Sequence, residues 1–223
     1  MNPLILPNAF EIALRKQLGA CFEVFQASLQ EPAPTSIRAN PAKHSVLPDE
    51  KVLWSKFGYY LNQRPSFTLD PTFHGGSYYV QEASSMFVEQ AFLQSVDNTK
   101  SLNVLDLCAA PGGKSTHLLS LMNKESLLVS NEVIRTRANI LSENIQKWGY
   151  PNAVVTSNDP HDFERLKGFF DVMVVDAPCS GEGLFRKDPN AMSEWSPDNV
   201  ALCSKRQRRI LSDVWPALKQ GGI

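Results

Sequence analysis

Apolar positions along the chain change their period near residue 95. From Asn8 to Leu29 they fall at helical spacing (Phe10, Leu14, Leu18, Phe22, Phe25), with Gly19 interrupting, which predicts two short helices. Pro32, Pro34 and Pro41 end helical structure, and the weak alternation of TSIRAN, Thr35 to Asn40, predicts a short strand between them. Residues 45–79 are rich in aromatics, Pro and Gly and show no clear period, so an irregular segment with at most one strand is expected. Ala83, Met86, Phe87, Gln90 and Ala91 then mark a helix from Glu82 to about Gln94. Beyond it come four short apolar runs: LNVLDL (Leu102 to Leu107), LLVSN (Leu127 to Asn131), AVVTS (Ala153 to Ser157) and FDVMVVD (Phe170 to Asp176). Helical segments separate them, and the resulting βαβαβ order predicts a parallel sheet with helices on both faces, an α/β fold of Rossmann-like type.

Composition narrows this without changing it. A chain of 223 residues, 43% hydrophobic and 20% charged, suits one domain of ordinary size with a small appendage. Apolar runs such as Val172 to Val175 fall far short of the roughly 18 residues of a membrane span. The N-terminus lacks the basic-then-apolar order of a secretory signal, so cytoplasmic residence without a membrane partner is expected. Cys21, Cys108, Cys179 and Cys203 form no C-x-x-C pair, which argues against a zinc site or a disulfide framework. His44, His74, His117 and His161 are scattered without ligand spacing, and no metal role is assigned. A net charge of -1 excludes a polycationic coat but leaves room for a local basic groove.

Candidate chemistry sits at the strand ends. DLCAAPGGKST, Asp106 to Thr116, joins the first strand of the series to a helix through Pro111, Gly112 and Gly113, a turn that offers backbone N–H groups to a small ligand. Its tail resembles a phosphate loop, G-x-x-x-x-G-K-[ST], but Cys108 stands where that pattern requires glycine, and G-x-G-x-x-G is absent. Glu132 follows LLVSN, where an acid accepts hydrogen bonds from ribose hydroxyls; it would equally suit the first turn of the helix that follows. Asp159 and Asp176 end the next two strands, so four successive strand ends carry ligand-type residues, favouring a ribose-bearing cofactor without a triphosphate. After Asp176, VVDAPCSGEGLFRKDP places Cys179 behind Pro178, in a loop stiffened by proline and opened by Gly181 and Gly183. A thiol in that position suggests nucleophilic or leaving-group chemistry. Arg186 and Lys187 are placed to contact phosphates; Phe185 suits either stacking on a nucleotide or filling the loop's underside. The basic run Lys205 to Arg209 reads first as a solvated helix face.

DLCAAPGGKST, DAPCSGEG and KRQRRIL…ALKQGG together resemble the NOL1/NOP2/Sun family of S-adenosylmethionine-dependent RNA cytosine-5 methyltransferases, in particular its bacterial ribosomal-RNA members. RAN (Arg38 to Asn40) and YYVQEASSM (Tyr78 to Met86) resemble its N-terminal appendage and the segment leading into its catalytic domain. The resemblance implies an appendage facing RNA over residues 1–78 and a methyltransferase domain over 79–223. Cys108, Ala109, Ala110, Pro111, Gly112, Gly113 and Lys114 would wrap the amino-acid end of S-adenosyl-L-methionine, Glu132 would hold the ribose, and Asp159 would lie by the adenine. Asp176 would sit between the methyl donor and the base. Cytosine C5 becomes nucleophilic only once a thiolate has added to C6, after which methyl transfer, loss of the C5 proton and expulsion of the thiolate must follow. By the residues alone Cys179 is the attacking thiol; the resemblance instead gives attack to a Thr-Cys pair after an LKxGG turn and gives Cys179 the release of product. The chain reaches Gly221, Gly222 and Ile223 at that turn, so the nucleophile is expected beyond Ile223, the sheet is expected to lack its last strands, and residues 1–223 alone are expected to bind cofactor but not turn over. Small-subunit (16S-type) ribosomal RNA is the substrate that the resemblance implies. Competing readings are a methyltransferase of DNA or of an exocyclic amine, for which DAPC lacks the usual (Asp/Asn)-Pro-Pro-aromatic loop, and an RNA-binding module without activity.

Overall fold

A computed structural model describes residues 6–44 and 46–223. In chain order the elements are α1 (Asn8–Leu18), α2 (Phe22–Ser28), β1 (Thr35–Ala39), β2 (Gly58–Leu61), α3 (Pro71–His74), β3 (Tyr78–Val80), α4 (Val88–Ser95), β4 (Asn103–Asp106), α5 (Gly113–Leu121), β5 (Leu127–Asn131), α6 (Arg135–Trp148), β6 (Ala153–Thr156), β7 (Val172–Val174), α7 (Pro189–Glu194) and α8 (Pro197–Val214). They form two compact units, Met1–Ala33 with Pro178–Arg209, and Pro34–Ala177 with Ile210–Ile223. This grouping by contact differs from a division of the sequence at residue 78: β1 to β3 share a unit with the parallel sheet. Among the described residues no helix is long and apolar enough to cross a membrane.

In the first unit, Gly19 has φ +53 and breaks the helical run into α1 and α2, as its position in the sequence predicts. Phe10 and Phe22 are buried against Phe185, whose ring meets that of Phe10 edge-on at 4.9 Å. Phe185 therefore fills the underside of the loop. Arg186 donates to the carbonyls of Glu31 and Pro32, each at 2.9 Å.

The second unit holds both sheets. β6-β5-β4-β7 is parallel throughout. Alternate side chains of its strands point to opposite faces, as a period of two requires. Val104, Leu128 and Val172 pack with Leu118, Leu141 and Trp148 from α5 and α6. Leu105, Val129 and Met173 pack on the other side with Phe163, Phe170, Ile210 and Val214. β7 covers only Val172–Val174 of the expected run 170–176, because its partner β4 has only four residues before the chain turns after Asp106.

The second sheet, β2-β1-β3, is antiparallel. Residues 45–79 thus supply one whole strand and the start of another, with Ser45 outside the described residues. The expected helix from Glu82 begins as a 3₁₀ turn, Ser84–Phe87, before α4. Arg38 of β1 is fully buried and ties this sheet to α5. It donates to Gln81 Oε1 at 2.8 Å, Thr116 Oγ1 at 2.6 Å and the Gly113 carbonyl at 3.2 Å, with its guanidinium 4.5 Å from the centre of the Trp148 ring. Asn40 adds bonds to the carbonyls of Gly76 and Trp148.

Candidate functional site

The strand order fixes where a ligand can sit. The chain runs from β4 outward through β5 to β6, then returns to the other side of β4 as β7, so the order reverses between β4 and β7. Crevices at the carboxyl ends of the strands at such a switch point are where open α/β sheets bind ligands. A pocket of about 240 Å³ lies there, lined by Cys108, Ala109, Ala110, Pro111, Gly113, Lys114 and Asp176, together with Tyr79, Gln81 and Asp106.

Local geometry explains the turn. Gly112 has φ +112 and precedes α5; a Cβ there would also stand 3.2 Å from Leu141 Cδ1. Asn144 of α6 donates to the Pro111 carbonyl at 2.8 Å, and Thr116 Oγ1 to the Gly112 carbonyl at 2.7 Å. With its carbonyls held this way, the turn keeps one shape. Lys114 Nζ donates to Asp176 Oδ2 at 2.5 Å, linking the glycine turn to the end of β7, while the Asp176 side chain stays 60% exposed. Burial and the carboxylates of Asp106, Glu132 and Asp176 push the Cys108 thiol up to about 11.

Two residues singled out by sequence stand apart from the pocket wall. Glu132 is buried beside it: its carboxylate accepts from the Ile134 amide at 3.0 Å and lies 3.3 Å from Arg137, which also donates to the Ala110 carbonyl at 2.9 Å. Arg137 thereby couples the acid to the glycine turn. Asp159 caps the 3₁₀ helix Pro160–Leu166 by accepting from the His161 amide, in a reciprocal capping box with Asp162. Cys179 is exposed and belongs to the other compact unit. In that unit Gln207 holds the Pro178 carbonyl at 3.0 Å, and Gly181 adopts φ +87.

Three buried residues escaped the sequence reading. Asn131 joins the loops after three strands: its amide donates to the carbonyls of Leu107 and Asn158 and accepts from Thr156 Oγ1 and the Asn158 amide. Asp106 ends β4 with no exposure, receives Ser115 Oγ at 2.6 Å on Oδ2, and is pushed up to about 6 by burial. Gln81, 7% exposed, lines the same pocket. Asp106 was legible as a strand-end acid of the same kind as Asp159 and Asp176; Gln81 lies in YYVQEASSM, whose resemblance gave it no role of its own, and Asn131 carries no local signal.

Comparison with known proteins settles the lineage. The family described as 16S rRNA methyltransferase RsmB/F matches residues 91–223, and the N-terminal domain of 16S rRNA methyltransferase RsmF matches residues 6–83. The chain belongs to the RsmB/F family. Ribosomal RNA small subunit methyltransferase F of Aliivibrio salmonicida is 35% identical over 99% of the chain and 50% of its own length. The protein of that name from Pectobacterium atrosepticum is 35% identical over 100% and 49%. The chain thus spans about half the length of these curated relatives. A methyltransferase homolog protein from Pyrococcus horikoshii superposes with TM-score 0.74 at 27% identity, over 97% of the chain and 75% of its own. NSun6 from the same organism, solved with SFG, shares the fold with TM-score 0.79 at 16% identity, over 97% and 81%. The RsmB/F chain therefore has the Rossmann-like methyltransferase fold that the NOL1/NOP2/Sun resemblance of its motifs implies, with the parallel sheet that its strand pattern predicts.

The pocket has the chemistry of a site for a small polar ligand. Among the described residues the buried side-chain atoms without a hydrogen-bond partner are Gln81 Nε2, Asp106 Oδ1 and His117 Nδ1. The first two belong to residues that line this pocket. Buried polar atoms without partners are costly, and a donor and an acceptor left over in one wall suit a ligand with charges of both signs.

Proposed function

We propose that the pocket at the β4/β7 switch point binds S-adenosyl-L-methionine and that the protein methylates C5 of a cytosine in 16S-type ribosomal RNA. The observation carrying this reading is the convergence of the Cys108–Lys114 turn and Asp176 on one pocket at the carboxyl ends of neighbouring parallel strands. Membership of the RsmB/F family supports the methyltransferase class and the ribosomal substrate; the motif resemblance supports cytosine C5.

In this reading the backbone of Cys108, Ala109, Ala110, Gly112, Gly113 and Lys114 wraps the amino-acid end of the cofactor, and Pro111 shapes the turn without adding a donor. Glu132, buried and held by Arg137, accepts from the ribose hydroxyls. Asp159 lies toward the adenine. S-adenosylmethionine supplies an electrophilic methyl group on its sulfonium sulfur. Asp176, oriented by Lys114 and exposed on its other side, faces the base and holds a proton at its ring nitrogen or amino group. The Cys108 thiol stays protonated near neutral pH, so it serves as a wall of the pocket and not as a nucleophile. Cys179 assists release of product, and attack belongs to a Thr-Cys thiol; residues 1–223 contain no such pair. Residues 1–78 form an appendage facing RNA, and 79–223 the methyltransferase domain.

Titration calorimetry of the chain with S-adenosylmethionine is expected to show one site, weakened about 10-fold or more by Glu132→Ala, which removes a charged acceptor from the ribose. Absence of binding by the folded chain would sink the reading. With 16S rRNA and labelled S-adenosylmethionine, residues 1–223 are expected to transfer no methyl group; transfer at an ordinary enzymatic rate would return the attacking role to Cys179.

A further inference from the structure

The basic run over residues 205–209 lies on α8, and the helix sorts its side chains. Ile210 and Val214 are buried and define the inner stripe of α8. Gln207, three residues before Ile210, falls on that stripe, whereas Lys205, Arg206, Arg208 and Arg209 are all exposed. Four of the 22 Lys and Arg residues thus crowd the outer side of one helix, in a chain whose net charge is -1.

A helix face that serves only solubility interleaves the two signs. α1, in the same compact unit, does so: Arg15 pairs with Glu11 one turn away. α8 does not. No acid occurs between Asp198 and Asp213, so Lys205 faces Arg208 and Arg209 at i,i+3 and i,i+4 spacing, where like charges work against the helix. Among the described residues the side chains of Lys205, Arg206 and Arg208 have no hydrogen-bond or ion-pair partner. Like charge concentrated on a rigid element without internal compensation is the electrostatic footprint of a polyanion site. The face is also anchored beside the loop that the proposed chemistry uses. Gln207, between Arg206 and Arg208, donates to the carbonyl of Pro178 at 3.0 Å, and Pro178 directly precedes Cys179 in the same compact unit. With the Gln207 amide held by the loop, the outer face offers cations and no amide, a set suited to positioning a backbone more than to reading bases.

We propose that the outer face of α8, through Lys205, Arg206, Arg208 and Arg209, binds the phosphate backbone of the RNA substrate beside the Cys179 loop. This rests on reading the chain as an RNA methyltransferase, and it adds the surface on which the strand lies.

The test is the salt dependence of affinity for a labelled single-stranded oligoribonucleotide, measured on the whole chain between about 50 and 200 mM salt. Glutamine keeps the length and helix propensity of these side chains, so Lys205→Gln, Arg206→Gln and Arg208→Gln are combined in one variant. Its plot of log affinity against log salt is expected to be shallower than the wild type's by about 2, with affinity about 10-fold or more weaker at low salt. S-adenosylhomocysteine binding, measured by calorimetry, is expected to be unchanged, which shows that the fold is intact. A second variant, Lys124→Gln with Arg165→Gln and Lys167→Gln, removes the same charge from exposed positions elsewhere and is expected to keep the wild-type slope. An unchanged slope in the α8 variant would overturn the proposal, as would equal loss in both variants, which would show an effect of net charge alone. A wild-type chain that binds S-adenosylhomocysteine but no RNA would overturn the surface and leave the cofactor pocket standing; a folded chain that binds neither would overturn the proposed function with it.

Discussion

Asp106 and His117 are both shut away from water, and burial moves them in opposite senses. The Asp106 carboxyl is pushed up to about 6, so between about pH 6 and 4 the folded chain takes up a proton that the unfolded chain, with a carboxyl near 3.9, does not. Stability from this group rises as pH falls through that window. Burial pushes His117 down to about 4, although its Nε2 lies 2.9 Å from the Glu89 carboxylate. There the unfolded chain, with an imidazole near 6.5, takes up the proton first, and stability falls as pH falls from about 6.5 toward 4. The two effects nearly cancel, so the fall in urea-denaturation stability expected as pH drops toward 4 comes chiefly from carboxyls that, against burial, are held below their ordinary range by hydrogen bonds, such as Glu89 and Asp171. Asp106→Asn removes one side of the balance and is expected to lose about 3 kcal/mol more than the wild type over that interval. His117→Gln is expected to lessen the fall. A profile like the wild type's in both variants would show that neither group titrates as its burial requires. Much of the site was legible at this scale because the Cys108–Lys114 turn and Asp176 announce themselves within a few residues. Gln81 did not, because the partner that orients its amide lies on another strand, 43 positions away.

The turn between β4 and α5 shows how an element's shape depends on its neighbours. Gly112 combines a left-handed φ with a close approach to α6, so Gly112→Ala is expected to cost about 1–3 kcal/mol in urea denaturation. Loss of ligand affinity should accompany it, since the turn that lines the pocket must shift. An unchanged midpoint would mean that the turn relaxes freely. The parallel strands were readable from sequence because short apolar runs separated by helical segments keep their character even in four residues. β2 and β3 were not, because GYYL and YYV are short, aromatic and defined by pairing with β1 more than by any period of their own. Glu132 illustrates a case in which both sequence readings describe real geometry. It accepts a hydrogen bond from the amide just ahead of α6, and it is also tied through Arg137 to the pocket-lining turn.

Across the whole molecule, families and compact units divide the chain differently. The two family regions adjoin between residues 83 and 91, whereas β1, β2, β3 and the parallel sheet belong to one compact unit. A chain beginning at residue 84 would lack Arg38, Tyr79 and Gln81. It would leave Thr116 and the face of Trp148 without their buried partner. Such a truncation is expected to lose about 3 kcal/mol or more and to bind S-adenosylhomocysteine weakly. Cooperative unfolding at the midpoint of the whole chain would refute this. Sequence could not reveal the tie, because nothing local to RAN distinguishes a buried arginine from a solvent-facing one. The same contact also provides an optical handle. Of the four tryptophans only Trp148 is fully buried, and the Arg38 guanidinium lies over its indole. Its emission should therefore redden when the two sheets part, so that a fluorimeter can watch the seam open without a label.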